Sequence, residues 1–284
     1  MKLDKKEIDK IISSALTEDV GSGDVTTNLI VSKNEKSRAS FYAKENGVIA
    51  GLTVAKSVFT KLDKKSVWKS FVKEGDRVNA GTRIAEVTGY YRALLTGERT
   101  ALNILQRLSG IATQTSEFVR LAEGTKVRVL DTRKTVPGLR TLDKYAVKIG
   151  GGGNHRFGLY DMVLIKDNHI KAAGGITSAV ERVRKNLKAK IKIEVETSNL
   201  DEVCEAVNCN VDIIMLDNMT NDTMKEAVRI INGKIKVEAS GNVTVNNFRQ
   251  IAETGVDYIS IGALTHSVKA LDINMKIENR KERL

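Results

Sequence analysis

The chain has 284 residues, of which 41% are hydrophobic and 29% charged, and its formal net charge is +11. This composition excludes a disordered or collagen-like chain and supplies enough apolar side chains for a large core. No apolar run approaches the roughly 18 to 20 residues that would span a bilayer, and the first residues lack the hydrophobic stretch of a secretory signal. We therefore expect a cytoplasmic protein with no membrane partner. Two cysteines, Cys204 and Cys209, are too few for a disulfide framework and, without a nearby histidine pair, indicate no metal site.

The first 110 residues predict a mixture of helices and strands. Charged and apolar residues interleave over 1–16, which indicates an amphipathic helix. The closely spaced Gly and Asp residues of 18–27 predict a loop before the chain becomes extended. The stretches 37–51 and 72–89 alternate apolar and polar residues between glycines, as strands and tight turns do. Apolar residues at helical spacing over 97–123 then predict one long helix.

From residue 126 onward, short runs rich in Val and Ile alternate with amphipathic helical stretches. The six runs are KVRVLD, DMVLIK, KIKIEVE, VDIIMLD, IKVEAS and VDYISIG. A strand followed by a helix, repeated in this way, indicates parallel β-structure with crossover helices. The strands lack alternation, which fits burial on both faces. A doubly wound sheet would give the same pattern, but no GxGxxG follows the first strand, so we favour an α/β barrel.

The excess of positive charge lies in one segment. Residues 126–192 contain 16 basic and 5 acidic residues, which accounts for the whole net charge of +11. A local cationic excess attracts an anionic partner: nucleic acid, an anionic membrane, or a small polyanion such as a phosphorylated or carboxylated substrate. Nucleic acid is disfavoured because only 5% of the residues are aromatic and they do not interleave with the basic residues.

The ends of the predicted strands are polar. In a barrel, the loops that follow the strands converge at one face, where the chemistry takes place. Five of the six strand ends carry polar or ionisable residues, and the sixth carries glycine. In chain order the ends are 131–134 (DTRK), 166–169 (KDNH), 194–197 (EVET), 217–218 (DN), 238–242 (EASGN) and 262–263 (GA). We therefore expect one shared polar pocket.

Cations surround a glycine run in the loop between the first two strands. Gly150–Gly153 could let the backbone approach a ligand closely and present amide protons to an anion, and a flexible linker is the alternative. The nearby cations are Arg133, Lys134, His155, Arg156 and Lys166. Arginine recognises carboxylates in a bidentate, planar way and lysine acts as a point charge for phosphate. This cluster is therefore suited to carboxylates and phosphates.

Two acids, Glu196 and Asp217, follow the third and fourth strands. In a pocket crowded with cations, such carboxylates could hold a hydrated Mg²⁺, bind sugar hydroxyls or stabilise a positively charged transition state. The last two strand ends, 240–242 and 261–263, are short and small, like the phosphate-binding turns of barrel enzymes. The pocket is therefore expected to bind a multiply anionic ligand together with a phosphorylated sugar.

Eight segments carry a close resemblance to a known family. They are EDVGSGDVTT, GERTALNILQRLSGIAT, DTRKTVPGLR, KYAVKIGGGGNHRFGLYDMVLIKDNH, IEVETSN, IMLDNM, VEASGN and ISIGALTHS. In order and spacing they resemble the quinolinate phosphoribosyltransferases, the decarboxylating nicotinate-nucleotide pyrophosphorylases, over nearly the whole chain. The resemblance implies that quinolinate and phosphoribosyl pyrophosphate react, with Mg²⁺, to give nicotinate mononucleotide, pyrophosphate and CO₂ in de novo NAD synthesis.

The resemblance also implies the architecture. The fold would be α/β, with an N-terminal α/β sandwich followed by an incomplete, TIM-like parallel α/β barrel. We expect the first domain to span 1–110 and the barrel 111–267, with the tail 268–284 packing back on the first domain. The family further implies a homodimer in which the N-terminal domain covers the partner's barrel.

Matching position by position, the resemblance implies which residues form the site. Those around the quinolinate carboxylates are Arg133, His155, Arg156 and Lys166, and Thr132 is a further substrate-binding residue. Lys134 would lie between quinolinate and the phosphoribosyl donor, and Glu196 and Asp217 would serve the ribose and Mg²⁺, directly or through water. Lys134, Glu196 and Asp217 are the expected catalytic residues. The 5′-phosphate would contact the backbone of Ser240, Gly241, Asn242, Ile261, Gly262 and Ala263.

Two further residues receive different expectations. Arg99 resembles the arginine that the family lends across the dimer interface, although the residues alone would indicate a helix-surface arginine. His266, after the last strand, is expected to cap or pack near a helix start.

The nearest alternative function is nicotinate phosphoribosyl transfer, which uses a monocarboxylate and releases no CO₂. The number of cations favours a dicarboxylate, and a basic nucleic-acid-binding protein is the more distant alternative.

Overall fold

The computed structural model describes residues 3–278, which form two compact units. The first unit comprises the described residues up to Ser116, the segment Thr135–Gly151 and the described residues from Ser267. The second comprises Glu117–Lys134 and Gly152–His266. The ends of the predicted domain range 1–110 and tail 268–284, residues 1–2 and 279–284, lie outside the described residues. None of the described helices combines the length and the hydropathy needed to cross a membrane.

The first part of the chain folds around an antiparallel sheet. Its elements are α1 (Lys5–Val20), α2 (Val25–Ile30), β1 (Lys36–Ala43), β2 (Gly47–Val48), α3 (Leu52–Leu62), β3 (Val67–Ser70), β4 (Arg77–Val78), β5 (Arg83–Tyr90) and α4 (Tyr91–Leu121). With β12 (Ile273–Ile277), the sheet has the order β12-β1-β5-β3, and β2 pairs with β4 separately. Phe41 of β1 packs edge-on against Phe59 of α3, with 6.0 Å between the ring centroids. This contact anchors the helix on the sheet.

The N-terminal helix is confirmed, but the loop predicted over 18–27 is shorter. α1 buries Ile8, Ile12 and Leu16, the apolar face that its helical spacing predicts. A second helix, α2, begins at Val25 because the Asp24 side chain accepts a hydrogen bond from the Thr27 N–H, as an N-cap residue does. Only 21–24 therefore connects the two helices.

The long helix is confirmed and begins earlier than the predicted start at Gly97. α4 spans Tyr91–Leu121 and follows β5 directly. Gly97 lies inside the helix, where an added Cβ would lie 2.9 Å from Leu62 Cδ1 and 3.1 Å from Phe59 Cε1. The glycine thus serves a close approach between α4 and α3, not the start of the helix.

The second unit contains the predicted parallel sheet. Its strands are β6 (Arg128–Leu130), β7 (Val163–Ile165), β8 (Ile193–Thr197), β9 (Ile213–Asp217), β10 (Lys236–Ser240) and β11 (Tyr258–Ser260). The helices after α5 (Arg140–Ile149) are α6 (Asp167–Ala173), α7 (Ile176–Asn186), α8 (Leu200–Asn208), α9 (Asn221–Ile231), α10 (Val245–Ala252) and α11 (Ala263–His266). All described strand pairs in this sheet are parallel, in the order β6-β11-β10-β9-β8-β7.

The barrel is incomplete, as predicted. β6 and β7 are the two ends of the strand order, so no strand pairing among the described residues closes the ring. The free edge of β6 pairs instead with the end of the glycine run. Gly153 donates to the Val129 carbonyl at 2.7 Å, and its own carbonyl accepts from the Asp131 N–H at 3.2 Å. These bonds fix the loop that carries His155 and Arg156.

Candidate active site

A cavity of about 710 Å³ lies at the carboxyl ends of the parallel strands, and all of its lining residues belong to the second unit. Fourteen of the fifteen predicted site residues line it: Thr132, Arg133, Lys134, His155, Arg156, Lys166, Glu196, Asp217, Ser240, Gly241, Asn242, Ile261, Gly262 and Ala263. Arg99 does not line it, and lies on α4 of the first unit with its side chain exposed.

Two guanidinium groups share the cationic side of the cavity. Arg156 is 9% exposed, and its Nη1 donates to the Met162 carbonyl at 3.2 Å. Burial lowers the pKa of Arg156, and the like charge of Arg133 lowers it further, while Glu194 and Asp161 oppose the shift. A buried cation beside a like charge is stabilised by a bound anion. This side of the cavity therefore favours a carboxylate ligand.

The segment that carries Lys134 is held by hydrogen bonds on both sides. The Lys134 N–H donates to Thr132 Oγ1 at 3.0 Å, and the Lys134 carbonyl accepts from Thr265 Oγ1 at 2.8 Å. A Cβ at Gly262 would lie 2.9 Å from Lys134 Cδ and 3.1 Å from His266 Cδ2. The glycine therefore leaves the space that both side chains occupy.

The two predicted acids follow adjacent strands, β8 and β9. Glu196 Oε2 lies 2.9 Å from Lys166 Nζ, and Asp217 Oδ2 accepts a hydrogen bond from Asn218 Nδ2 at 2.8 Å. Lys166 is about half exposed, so water screens its ion pair with Glu196 and a ligand can exchange with it. The cationic and acidic sides of the cavity thus meet at this pair.

The turn after β10 is built around Asn218. The Asn218 N–H donates to the Ser240 carbonyl at 2.9 Å, and Asn242 Nδ2 donates to Asn218 Oδ1 at 3.2 Å. Gly241 has a φ of +104°, and a Cβ there would lie 2.2 Å from Asn218 Oδ1. Only glycine fits this position. On the neighbouring strand end, the Ile261 N–H already donates to the Leu130 carbonyl at 2.9 Å, so that amide is used within the protein.

The glycine run does not present its amides to an anion as we expected. The N–H groups of Gly150, Gly151 and Gly153 donate to the carbonyls of Ala146, Lys148 and Val129. No glycine of the run is among the described residues that line the cavity. A Cβ at Gly150 would lie 2.5 Å from the Ala112 carbonyl oxygen, so the small residue is needed for close backbone packing.

Eight cavity residues were not predicted as site residues: Leu164, Met215, Asn218, Glu238, Val243, Thr244, Ser260 and His266. Several of them precede a predicted residue by two positions, as Met215 precedes Asp217 on β9. Because side chains alternate along a strand, that spacing was an available signal. His266, expected to cap or pack near a helix start, is the exposed last residue of α11, its ring lies beside Gly262, and it lines the cavity.

Comparisons with known proteins agree over nearly the whole chain. Residues 24–109 match the model of the quinolinate phosphoribosyl transferase N-terminal domain, and 111–276 match the C-terminal domain. A probable nicotinate-nucleotide pyrophosphorylase [carboxylating] from Synechocystis sp. is 50% identical over 273 residues, which cover 95% of this chain and 92% of the relative. The corresponding Bacillus subtilis protein is 44% identical, covering 95% and 93%. The crystal structure of NadC from Streptococcus pyogenes is 42% identical, with a TM-score of 0.94, covering 98% and 99%.

Proposed function

The chain belongs to the quinolinate phosphoribosyltransferase family, and from this premise we propose how its residues carry out the reaction. The protein is a decarboxylating pentosyltransferase of de novo NAD biosynthesis. It transfers phosphoribose to quinolinate and releases pyrophosphate and CO₂. The observation that carries the proposal is the convergence of cations and two acids from successive strand ends on one cavity.

The cationic side of the cavity binds the dicarboxylate. Arg133 and Arg156 form bidentate pairs with the carboxylates, and Lys166 exchanges its contact with Glu196 for one with the ligand. Thr132 and His155 form the adjoining wall. The support for this assignment is the burial of Arg156 beside Arg133, which a bound anion would stabilise. Held in this way, the pyridine nitrogen is oriented for attack on the sugar.

The acidic side of the cavity stabilises the reacting sugar. Attack on the anomeric carbon develops oxocarbenium-like positive charge, and Glu196 stabilises that charge electrostatically. Asp217 binds the ribose hydroxyls, and Lys134 neutralises the departing pyrophosphate. No covalent intermediate with the protein is needed. The support is that Glu196 already lies 2.9 Å from Lys166, so the sugar and the dicarboxylate meet at that pair.

Decarboxylation follows from the product of the first step. Once the ring nitrogen is bonded to the sugar it is cationic, and its charge stabilises the electron pair that stays on the adjacent ring carbon when the carboxylate leaves as CO₂. The ring carbon then takes up one proton, which completes nicotinate mononucleotide. The protein orients the ring and excludes water during this step.

Carboxylate oxygens are the ligands that Mg²⁺ prefers, and Glu196 and Asp217 fit this requirement. They lie on adjacent strands and line the same cavity, and Asp217 accepts a neutral amide hydrogen bond from Asn218. We assign them as the residues that would hold Mg²⁺, directly or through water. When bound, the ion supplies positive charge that stabilises the pyrophosphate leaving group.

The 5′-phosphate occupies the end of the cavity formed by the turns 240–242 and 261–263. Gly241 and Gly262 keep this end free of side chains. Because the Ile261 amide is already bonded to Leu130, we assign the phosphate contacts on that turn to Gly262 and Ala263. The turns of the last strands of α/β barrels commonly bind phosphate in this way.

Arg99 completes the site from a second copy of the chain. It is exposed and lies in the first unit, while every described cavity residue lies in the second. In the resulting homodimer, residues 1–110 act as the covering domain and 111–267 as the catalytic domain. We further propose that the tail 268–284 belongs with the covering domain, which the pairing of β12 with β1 supports.

The assay that tests the function uses the purified protein, phosphoribosyl pyrophosphate and Mg²⁺ with either quinolinate or nicotinate. With quinolinate we expect equal amounts of nicotinate mononucleotide and CO₂, the latter measured from substrate labelled in its 2-carboxylate. With nicotinate we expect no mononucleotide. Turnover of nicotinate without CO₂ would instead establish the alternative function.

A further inference from the structure

Beneath the cavity, two buried glutamates converge on one histidine. Glu194 of β8 and Glu238 of β10 are both 0% exposed and lie on alternate strands, as side chains of one interior layer of a barrel do. His155 Nε2 lies 3.0 Å from Glu194 Oε2 and 3.6 Å from Glu238 Oε2. We call these three residues the floor cluster. The Glu238 side chain also lines the cavity.

A hydrogen bond fixes the orientation of the His155 ring. Its Nδ1 accepts the backbone N–H of Arg156 at 2.7 Å, and its Nε2 faces the two carboxylates. The three side chains thus form one cluster of ionisable groups below the cavity.

The acids around the floor cluster differ in how their charge is balanced. Asp131 accepts hydrogen bonds from Asn154 Nδ2 at 2.7 Å and from the His155 N–H at 2.9 Å. Glu194 interacts favourably with the charge of Arg156. Neither Glu194 nor Glu238 accepts a hydrogen bond of normal geometry from a described residue. Two such buried carboxylates cannot both be ionised at moderate cost, so one retains a proton.

Glu238 is the acid that retains it. Burial raises the pKa of Glu238 to about 8, and the negative charge of Glu194 adds to the shift. The other groups that face its carboxyl are His155, Asp131 and the Ser260 hydroxyl. The charged or titratable residues on the cavity wall above it are Arg133, Lys134, Arg156, Lys166, Glu196, Asp217 and His266.

We propose that Glu238 is a positioning residue that must be protonated for the dicarboxylate to bind, so that its ionisation weakens quinolinate binding. A negative charge on Glu238 would oppose the bound carboxylates across the cavity floor and compete for the cations that hold them. The neutral acid leaves those cations to the ligand. This inference rests on the proposed assignment of the cationic side of the cavity to quinolinate.

The test compares pH profiles of wild type and Glu238→Gln, whose side chain has a similar shape and stays neutral. In wild type we expect KM for quinolinate to rise about tenfold between about pH 7 and pH 9, and KM for phosphoribosyl pyrophosphate to change much less. In Glu238→Gln the rise for quinolinate should be absent. Glu181→Gln, which removes an exposed acid on α7, should keep the wild-type profile.

A second measurement needs only the wild-type protein, in case the variant does not fold. Calorimetric titration with quinolinate in two buffers of different ionisation enthalpy gives the number of protons taken up on binding. We expect almost none near pH 6.5 and a fraction approaching one near pH 8.5, since binding favours the protonated acid. An unchanged alkaline rise in Glu238→Gln, or binding without proton uptake, would overturn the inference. Failure of wild type to form nicotinate mononucleotide at any pH would instead overturn the proposed function.

Discussion

The rim of the cavity carries the charged residues Arg133, Lys134, Lys166, Glu196 and Asp217, and the floor carries the floor cluster. The two levels balance their charges differently. At the rim, Lys166 and Glu196 form an ion pair whose lysine is 46% exposed, so water supports both charges. On the floor, the side chains of Glu194 and Glu238 are 0% exposed, so water cannot stabilise a charge on either of them. The rim can therefore keep full charges ready for a substrate, whereas the floor must keep a proton. Substitutions at the rim should therefore change activity, and substitutions on the floor should change how the protein responds to pH.

The largest effect is expected at the rim. Lys134→Ala should reduce turnover about a hundredfold or more, because it removes the charge that stabilises the departing pyrophosphate. Arg133→Ala should cause a loss of the same order. Formation of nicotinate mononucleotide measures both. Arg182→Ala, which removes an exposed cation on α7, is the matched control and should retain wild-type turnover. Near wild-type kinetics for Lys134→Ala would contradict its assigned role.

Arg99 tests whether the rim is completed by a second chain. Arg99→Ala should raise KM for quinolinate about tenfold or more, since it removes a charge-assisted contact with a carboxylate. When Arg99→Ala subunits are mixed with an equal amount of inactive Asp217→Ala subunits and allowed to reassemble, half of the dimers contain one subunit of each kind. Each of these mixed dimers has one intact site out of two, so the mixture should recover about a quarter of wild-type activity. Mixtures that recover no activity would show that Arg99 acts within its own chain or outside the site.

A smaller effect is expected from the turn that shapes the phosphate end of the rim. Gly241→Ala should raise KM for phosphoribosyl pyrophosphate about tenfold, because the added Cβ would displace Asn218 and with it the turn. Gly233→Ala is the matched control: it has a φ of +72° but no atom within 4 Å of the added Cβ. It imposes similar backbone strain, so its melting temperature should fall without a change in KM. Equal KM values for the two variants would show that this turn does not contribute to binding of phosphoribosyl pyrophosphate.

The rim could be predicted from the sequence because its chemistry follows a local rule. A polar residue directly after an apolar β-run, such as Lys166 or Asp217, marks a strand end, and parallel strands bring their ends together. Glu238 was included in a polar strand end but not among the site residues, because the run 238–242 does not show which of its side chains face inward. Its proton depends on Glu194, which is 44 residues away in the chain. No local pattern contains that pair.

The local backbone geometry of the glycine run and of Asp24 was easier to predict from the sequence than the residues that contact them. The run Gly150–Gly153 clearly needs close backbone approach, but its partners are the edge of β6 and the Ala112 carbonyl, not an anion. Likewise, Asp24 was recognised as a turn residue, and only the position of Thr27 three residues later indicates that it caps a helix. In both cases the sequence determines the local geometry, and the tertiary partner decides its use.

The last expected effect concerns the stability of the protein, not its activity, and arises at the floor of the cavity. The pKa of Glu238 is near 4.5 in an unfolded chain and about 8 in the folded protein, so between these values the folded state binds more protons than the unfolded state. The free energy of unfolding of wild type should therefore fall as pH rises through this window, while Glu238→Gln lacks this loss. We expect the difference to grow from about 1 kcal/mol at about pH 5 to on the order of 4 kcal/mol at about pH 8. Melting temperatures or urea midpoints measured across that range would show it. Glu181→Gln, exposed on α7, should show no such divergence from wild type. A constant difference between Glu238→Gln and wild type at all pH values would mean that Glu238 is ionised in the folded protein and that the floor, like the rim, keeps its charges.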